Sequence, residues 1–333
     1  MALGGVRGSA PEKVGARGSA PEKMAGAGAG RHYPVTKPAP LLEFLRTAMP
    51  DTAASALKKR LQHGCIWVNG VRETRFDRAL VSGDDVAVMS EREARFGFSH
   101  PKLRLLFEDG HILVVDKASG LHSVDSTHGG VENACSILEE YVRRRDASKR
   151  IYVVHRLDRD TSGVMIFAKS REAQNRLVAD WNDRVLERTY IAVAEGRVEP
   201  ASGTIDTYLY EDSRKVVHST DDPRRGLRAI THYRVLSHTT MATEPNALCD
   251  AAMADYTVLR LDLDTGRTNQ IRVHLASLGH PVAGDAKYGA KTDPFQRLAL
   301  HAQTICFRHP TTQKVMRFAV MAPAEFGEVV NSE

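Results

Sequence analysis

The stretch Ile151–Lys169, IYVVHRLDRDTSGVMIFAK, decides how this chain is read. Two apolar runs of strand length, Ile151–Val154 and Val164–Ala168, bracket a polar segment containing His155, Arg156, Asp158, Arg159, Asp160, Thr161, Ser162 and Gly163. Flanking strands would hold this cluster on a rigid frame at the mouth of a buried sheet, where catalytic groups concentrate. A charged hairpin turn closed by Thr-Ser-Gly is the plainer reading of such a segment. The residues alone do not choose between Asp158 and Asp160.

Outward from this stretch, strand-like runs recur at Ile112–Val115, Thr189–Ala194, Ile230–Val235, Tyr256–Leu263 and Gln303–Phe307. Helical spacing appears over 131–144, 170–181 and 268–278. Strands follow strands with little βα alternation. This predicts an α+β domain with a mixed, mainly antiparallel sheet flanked by helices. Residues 237–254 show neither period and read as a surface-loop insertion. In the 268–278 helix, Ile271, Leu275 and Leu278 share one face. At about 100° per residue, Arg272 and Asn269 lie together beside that face and Arg267 lies on its other side. An Arg there is usually a snorkelling surface residue; a nearby carboxylate would change its meaning.

The first part of the chain has a different texture. Residues 1–31 carry 15 Gly or Ala, repeat RGSAPEK at 7–13 and 17–23, and lack aromatic residues. Such a segment cannot bury enough surface to offset its ordering entropy, so 1–33 reads as a disordered tail. Residues 34–90 read as a small α+β domain. A short helix around Leu41–Leu45 precedes a second at Ala53–Leu61, which carries Lys58, Lys59 and Arg60. Ile66–Val68, the tight turn Asn69-Gly70 and Val71 form a hairpin, and Val86–Val88 a further strand. Residues 91–101 read as a linker, 102–325 as the catalytic domain and 326–333 as a C-terminal tail.

Composition excludes several classes. With 42% hydrophobic and 26% charged residues, the 333-residue chain is an ordinary globular mixture with room for two domains. No run approaches the roughly 18 apolar residues needed to span a bilayer, and no apolar core run marks a secretory signal. Cys65, Cys135, Cys249 and Cys306 stand 70, 114 and 57 residues apart. That spacing suits buried thiols in a reducing compartment, not a zinc site or disulfide framework. The expected location is cytoplasmic, or mitochondrial, plastid or nuclear if the tail is a targeting segment. No P-loop or dinucleotide-binding glycine pattern occurs, and neither a cofactor nor a metal is expected.

Two resemblances add function. The two short helices, GCIWVNG and SGDDVAV resemble the S-four-type RNA-binding domain. This implies that Lys58, Lys59 and Arg60 face RNA phosphates, where clustered cations release counterions without reading sequence. Over 103–322, LLFEDGHILVVDKASGL, HRLDRDTSG, ERTYIAVAEG, GRTNQIRVHLASLGHPVAGDAKYG and LALHA resemble the RluA-type pseudouridine synthases, motif by motif and in order. The resemblance implies that Asp158 is the catalytic carboxylate, that Tyr190 lines the active site against the target base and that Arg272 pairs with Asp158. It also implies that Arg156 approaches the space left by a flipped nucleotide and that Leu300 is an apolar wall of the uracil pocket. Two positions depart from the family: Asn269 stands where His is usual, and Ala118 where Pro is usual. Neither belongs to the Asp, Tyr and Arg set, but Asn269 shares a side with Arg272.

The implied reaction converts uridine in RNA to pseudouridine. A C–N glycosidic bond breaks, the uracil turns, and a C–C bond forms to the same sugar carbon, with no donor or energy source. A carboxylate beside that carbon can attack it, stabilise its developing charge or remove a neighbouring proton. Tyr190 offers a flat face and a hydroxyl for proton transfer. The expected partner is ribosomal RNA first and transfer RNA next, met by a monomer without a membrane. The rival readings are an RNA-binding or ribosome-assembly protein with an inactive synthase-like domain, and a glycoside hydrolase, which needs two carboxylates at a set separation.

The net charge is +5, from 46 basic and 41 acidic residues. Residues 1–33 contribute +3 and 34–90 contribute +2, so the remaining 243 residues carry 33 of each sign. Long-range attraction to RNA therefore resides in the first 90 residues, and the catalytic domain must rely on local groups. Removing residues 1–90 is expected to flatten the salt dependence of RNA binding more than it slows the chemical step. Filter binding across a salt series, beside single-turnover rates, measures both.

Overall fold

The computed structural model of the chain describes residues 30–91, 94, 97–124, 130–242 and 253–327. Its first sheet follows from local turn chemistry. Asn69 and Gly70 both adopt positive φ, 52° and 79°, as a two-residue hairpin turn requires. They join β3 (Ile66–Val68) to β4 (Val71–Glu73). With β1 (Arg31–Pro34) and β6 (Asp85–Val88) these form a four-stranded sheet ordered β1-β6-β3-β4, while β2 (Ala39–Pro40) pairs with β5 (Ala79–Leu80). Helices Leu41–Ala48 and Ala54–Gln62 bury Leu41, Leu45, Leu57 and Leu61 against Ile66, Val68, Val86 and Val88. Lys58, Lys59 and Arg60 stay exposed. The unit thus has a core of its own.

The second sheet has eleven strands: β7 (Leu103–Glu108), β8 (Ile112–Lys117), β9 (Tyr152–Val153), β10 (Ser162–Ala168), β11 (Val185–Glu195), β12 (Ser202–Glu211), β13 (Val217–Thr220), β14 (Leu227–Ala242), β15 (Met253–Leu263), β16 (Leu300–Arg308) and β17 (Val315–Ala319). Their order is β13-β12-β14-β15-β11-β16-β10-β8-β7, with β17 on β16 and β9 on β10. All these pairings are antiparallel except β10 with β16. The mixed, mainly antiparallel sheet expected from the sequence is what the chain forms.

Alternation explains why β8 and β10 are apolar almost throughout. Leu113, Val115, Met165 and Phe167 join Leu138 of helix Ala134–Arg143 in one cluster. Ile112, Val114, Val164 and Ile166 join Leu177 of helix Arg171–Ala179 in another. Both faces of these strands are covered, so neither face needs polar residues. The helices start where capping chemistry dictates. Asn133 accepts from the Ser136 amide while its own amide donates to Ser136 Oγ, and Ser170 Oγ accepts from the Ala173 amide.

Several expectations change. Residues 237–254 are not simply a loop: β14 runs to Ala242 and β15 begins at Met253, paired residue for residue from Thr231↔Leu263 with one bulge. The stretch mixes Ser, His, Thr and Ala, and its strand character comes from pairing, which no periodicity reports; residues 243–252 lie outside the described residues. Strands β7, β12, β13 and β17 were not anticipated either. Arg31–Tyr33 belongs to a strand, not the tail; residues 1–29 lie outside the described residues. Ala94 and Phe98 of the expected linker are buried, and Phe98 meets Tyr141 edge-on at 5.1 Å. Phe326, placed in the C-terminal tail, is buried against Phe295. Cys65 and Cys306 are buried free thiols and Cys135 is a partly buried one; Cys249 lies outside the described residues.

The β10–β16 contact fixes the floor of the site. Gly163 has φ of 116°, and a Cβ there would run into the backbone of Ala302. Only glycine allows the strands to approach this closely. Gly163→Ala is expected to destabilise the fold by roughly 3 kcal/mol through left-handed strain and overpacking, measured by urea unfolding.

Candidate active site

Asp158 sits in the loop between β9 and β10, and that loop is bolted to the sheet through its backbone. Lys117, at the end of β8, is fully buried. Its Nζ donates to the carbonyls of Ala118, Leu121 and Arg159 at 3.1, 2.8 and 2.9 Å. The Gly120 amide donates to the same Arg159 carbonyl at 3.0 Å. Ser123 Oγ donates to the Leu157 carbonyl at 2.6 Å and accepts from the Leu157 amide at 3.1 Å. Residues on both sides of Asp158 are thus held by one strip, 117–123, whose Lys117 and Ser123 are buried. Burial pushes the Lys117 ammonium down to about 8, with Asp160 and Asp158 pulling the other way. His155 accepts the Ile166 amide at 3.0 Å and lies 5.2 Å from the Trp181 ring. Burial, and then the charge of Arg188, lower its pKa to about 4. It is a neutral structural acceptor.

The opposite wall comes from the segment before helix Gln270–Ser277 and from the helix itself. Arg272 Nη1 donates to Asp158 Oδ2 at 3.2 Å. Its Nε and Nη2 form a bidentate pair with Asp285, both bonds 2.7 Å, and the Asp285 side chain is 1% exposed. Burial works against the guanidinium charge, but the Asp285 bond and charge, and then those of Asp158, more than reverse it and raise the Arg272 pKa. Asn269 Oδ1 accepts from Arg272 Nη1 at 2.9 Å, and its Nδ2 donates to Tyr288 Oη at 2.9 Å. The Arg272 guanidinium also lies over the Tyr288 ring, 4.9 Å from its centre. Asn269 is therefore in direct contact with the Arg of the expected set. It adopts left-handed φ of 54°, a conformation Asn tolerates well, and precedes the helix instead of forming its first turn.

Tyr190 comes from β11, opposite Ala302 on β16 and Leu261 on β15. It retains part of its surface on the cleft, yet the surrounding protein desolvates it. That burial pushes its pKa up to about 12, with Arg188 opposing and Asp158 reinforcing the rise. Asp158, Tyr190, Arg272, Asn269, Arg156 and Leu300 all line one cleft of about 150 Å³. Asp160 does not line it; its carboxylate takes a bidentate pair from Arg159 at 2.9 and 3.0 Å. The geometry thus separates two acids that the sequence physics left equal. Lys58, Lys59 and Arg60 belong to the other sheet's unit and do not line the cleft. Among the described residues, no group of three or more His, Cys, Asp or Glu is placed to hold a metal ion, and no helix is long and apolar enough to cross a membrane.

Asp285, Tyr288, Lys117 and Ser123 escaped the sequence reading. Asp285 and Tyr288 stand inside GDAKYG, a quoted stretch, but nothing local says that Asp285 closes on an Arg 13 residues before it. Lys117 in VVDKASGL looks like any strand-end lysine.

The cleft beside the large mixed sheet thus sets one acid, Asp158, against a partly buried Arg272 that a second carboxylate holds. Comparison with known proteins gives the family. Residues 111–277 match the family described as RNA pseudouridylate synthase. The chain is 33% identical over 309 residues to the ribosomal large subunit pseudouridine synthase D of Yersinia pestis, covering 87% of this chain and 89% of that one. It is 31% identical over 288 residues to an uncharacterized RNA pseudouridine synthase, YhcT, of Bacillus subtilis, covering 86% and 90%. The human RNA pseudouridylate synthase domain containing 1 shares the fold, with a TM-score of 0.52, 24% identity and coverage of 68% and 86%. The chain belongs to the RNA pseudouridylate synthase family, of the RluA type.

Asp285→Ala leaves Arg272 with a single, more exposed carboxylate, Asp158. Breaking a buried pair in this way is expected to destabilise the fold by about 3 kcal/mol. Thermal unfolding of the variant beside the parent protein measures it.

Proposed function

We propose that the chain isomerises one or a few uridines in structured RNA to pseudouridine, with Asp158 as the catalytic carboxylate and no cofactor. The single observation that carries this reading is the Asp158–Arg272 pair in a cleft also walled by Tyr190 and Leu300. Arg272 engages Asp158 Oδ2; Oδ1 has no protein partner among the described residues. That oxygen is available to the sugar, whether it attacks C1′ or takes the neighbouring proton. Tyr190, with its pKa raised to about 12, keeps its phenol proton across the working pH range, so it can donate a hydrogen bond to uracil and stack on it. Leu300 completes the apolar wall, and the exposure of Arg156 at the cleft supports its approaching the space that a flipped nucleotide vacates.

The names of the relatives favour ribosomal RNA as substrate, with transfer RNA next. The exposed Lys58, Lys59 and Arg60 on an α+β unit with its own core support reading 34–90 as an S-four-type RNA-binding module; we further propose a monomeric, cytoplasmic enzyme. Against a hydrolase, Asp158 is the only carboxylate lining the cleft among the described residues. Asp285 is engaged by Arg272 and Asp160 by Arg159, so no second acid among the described residues is free at the cleft to activate water.

Pseudouridine mapping of total RNA with and without the protein is expected to show one or a few sites lost in its absence. Parent protein should restore them and Asp158→Ala should not. Restoration by Asp158→Ala would replace this reading with the RNA-binding one, and release of free uracil by purified protein would favour the hydrolase. Tyr190 should add no alkaline limb to the rate profile below about pH 11, since its raised pKa preserves the protonated form.

A further inference from the structure

Three guanidinium groups line the cleft: Arg156, Arg267 and Arg272. Their charges are compensated very differently. Arg272 faces two carboxylates. Among the described residues, neither Arg156 nor Arg267 forms an ion pair. Some arginines of the large sheet are paired, Arg228 with Asp206, Arg260 with Asp262 and Arg317 with Glu187, while Arg188, Arg234 and Arg308 form no ion pair among the described residues but do not line the cleft. Asp264, three residues before Arg267, is engaged by His232 at 3.0 Å. In a domain with equal numbers of acids and bases, two uncompensated cations at one cleft are a local positive field that no bulk charge supplies.

Arg267 is also held in place. Its amide donates to Gln270 Oε1 at 3.0 Å, and its Nε donates to the Arg228 carbonyl at 3.1 Å. The Gln270 amide group itself bonds Thr231 Oγ1 and the Ile230 carbonyl, so this support is rooted in β14. The residue is exposed. With Nε engaged, the two Nη groups have no protein acceptor among the described residues. A snorkelling Arg has no reason to have its fork fixed at the rim of a cleft. Two adjacent free N–H donors on a planar cation match two oxygens of a phosphodiester. Holding the backbone beside an extruded nucleotide is what phosphate contacts do, without reading sequence.

We propose that Arg267 is a phosphate-binding residue that grips a phosphodiester of the RNA strand next to the target uridine. This rests on the reading of the cleft as a pseudouridine-forming site. The test uses the full chain and, as probe, total RNA from cells lacking the protein. Initial rates of pseudouridine formation are measured against RNA concentration over a potassium chloride series, for parent protein, Arg267→Ala, Arg267→Lys and the control Arg224→Ala, whose charge is already engaged by Asp222. Arg267→Ala is expected to raise KM about tenfold with a much smaller change in kcat. It should also flatten the plot of log(kcat/KM) against log salt by about 0.7, the counterion release of one single-strand phosphate contact. Arg267→Lys should recover the slope but only part of the KM, since an ammonium keeps the charge and loses the fork. The control should match the parent protein. An unchanged salt slope in Arg267→Ala, or a loss confined to kcat, overturns the proposal. A parent protein that forms no pseudouridine on this RNA overturns the underlying reading instead.

Discussion

Arg272 is shared by two carboxylates with unequal access to water, and the rest of the site is arranged around that inequality. Asp285 is almost completely buried and takes two short, parallel bonds from Nε and Nη2. This fork-to-fork geometry fixes the plane of the guanidinium. Asp158 is more exposed and receives one longer bond from Nη1. Asn269 occupies that same Nη1 and connects it to Tyr288. The buried acid anchors the cation, and the anchored cation presents its remaining donor to the acid on the cleft. Separating the roles in this way leaves Asp158 oriented and only half-engaged.

The carboxylate itself rides on a loop, an unpromising place for a group that must be held to fractions of an ångström. Backbone bonds from the 117–123 strip compensate. Lys117 places a buried ammonium among three carbonyls, and Ser123 holds the Leu157 amide and carbonyl together. A buried cation without a direct carboxylate partner is expensive in isolation. Here the carbonyl dipoles and the nearby Asp158 and Asp160 charges offset part of that penalty. The pairing of β10 with β16 then brings Ala302, opposite Tyr190 on β11, next to the end of the same loop. Gly163 is the residue that permits the contact.

The sequence was legible where chemistry is local. The Asn69-Gly70 turn and the apolar runs Ile112–Val115 and Val164–Ala168 are short-range patterns, and each matches its element. The acid that lines the cleft was legible only through the family motif: as bare residues Asp158 and Asp160 are equivalent, two apart in one charged turn. The long hairpin of β14 and β15 was read as a loop over 237–254 because polar and small residues there gain strand structure from a partner, not from their own periodicity.

By itself, then, the amino-acid sequence determined the α+β class, the concentration of net positive charge before residue 91, and the family. These depend on composition and on contacts a few residues long. Only the tertiary structure decided which acid faces the cleft, that Asp285 holds Arg272, that Lys117 is a buried bolt, and that Arg156 and Arg267 are left without carboxylates. Each of these is a question of which charges meet across the fold. Arg272 and Asp158 are 114 residues apart, and Lys117 and the Arg159 carbonyl 42. Electrostatic partnership falls off with distance in space, not along the chain, so no local pattern can report it.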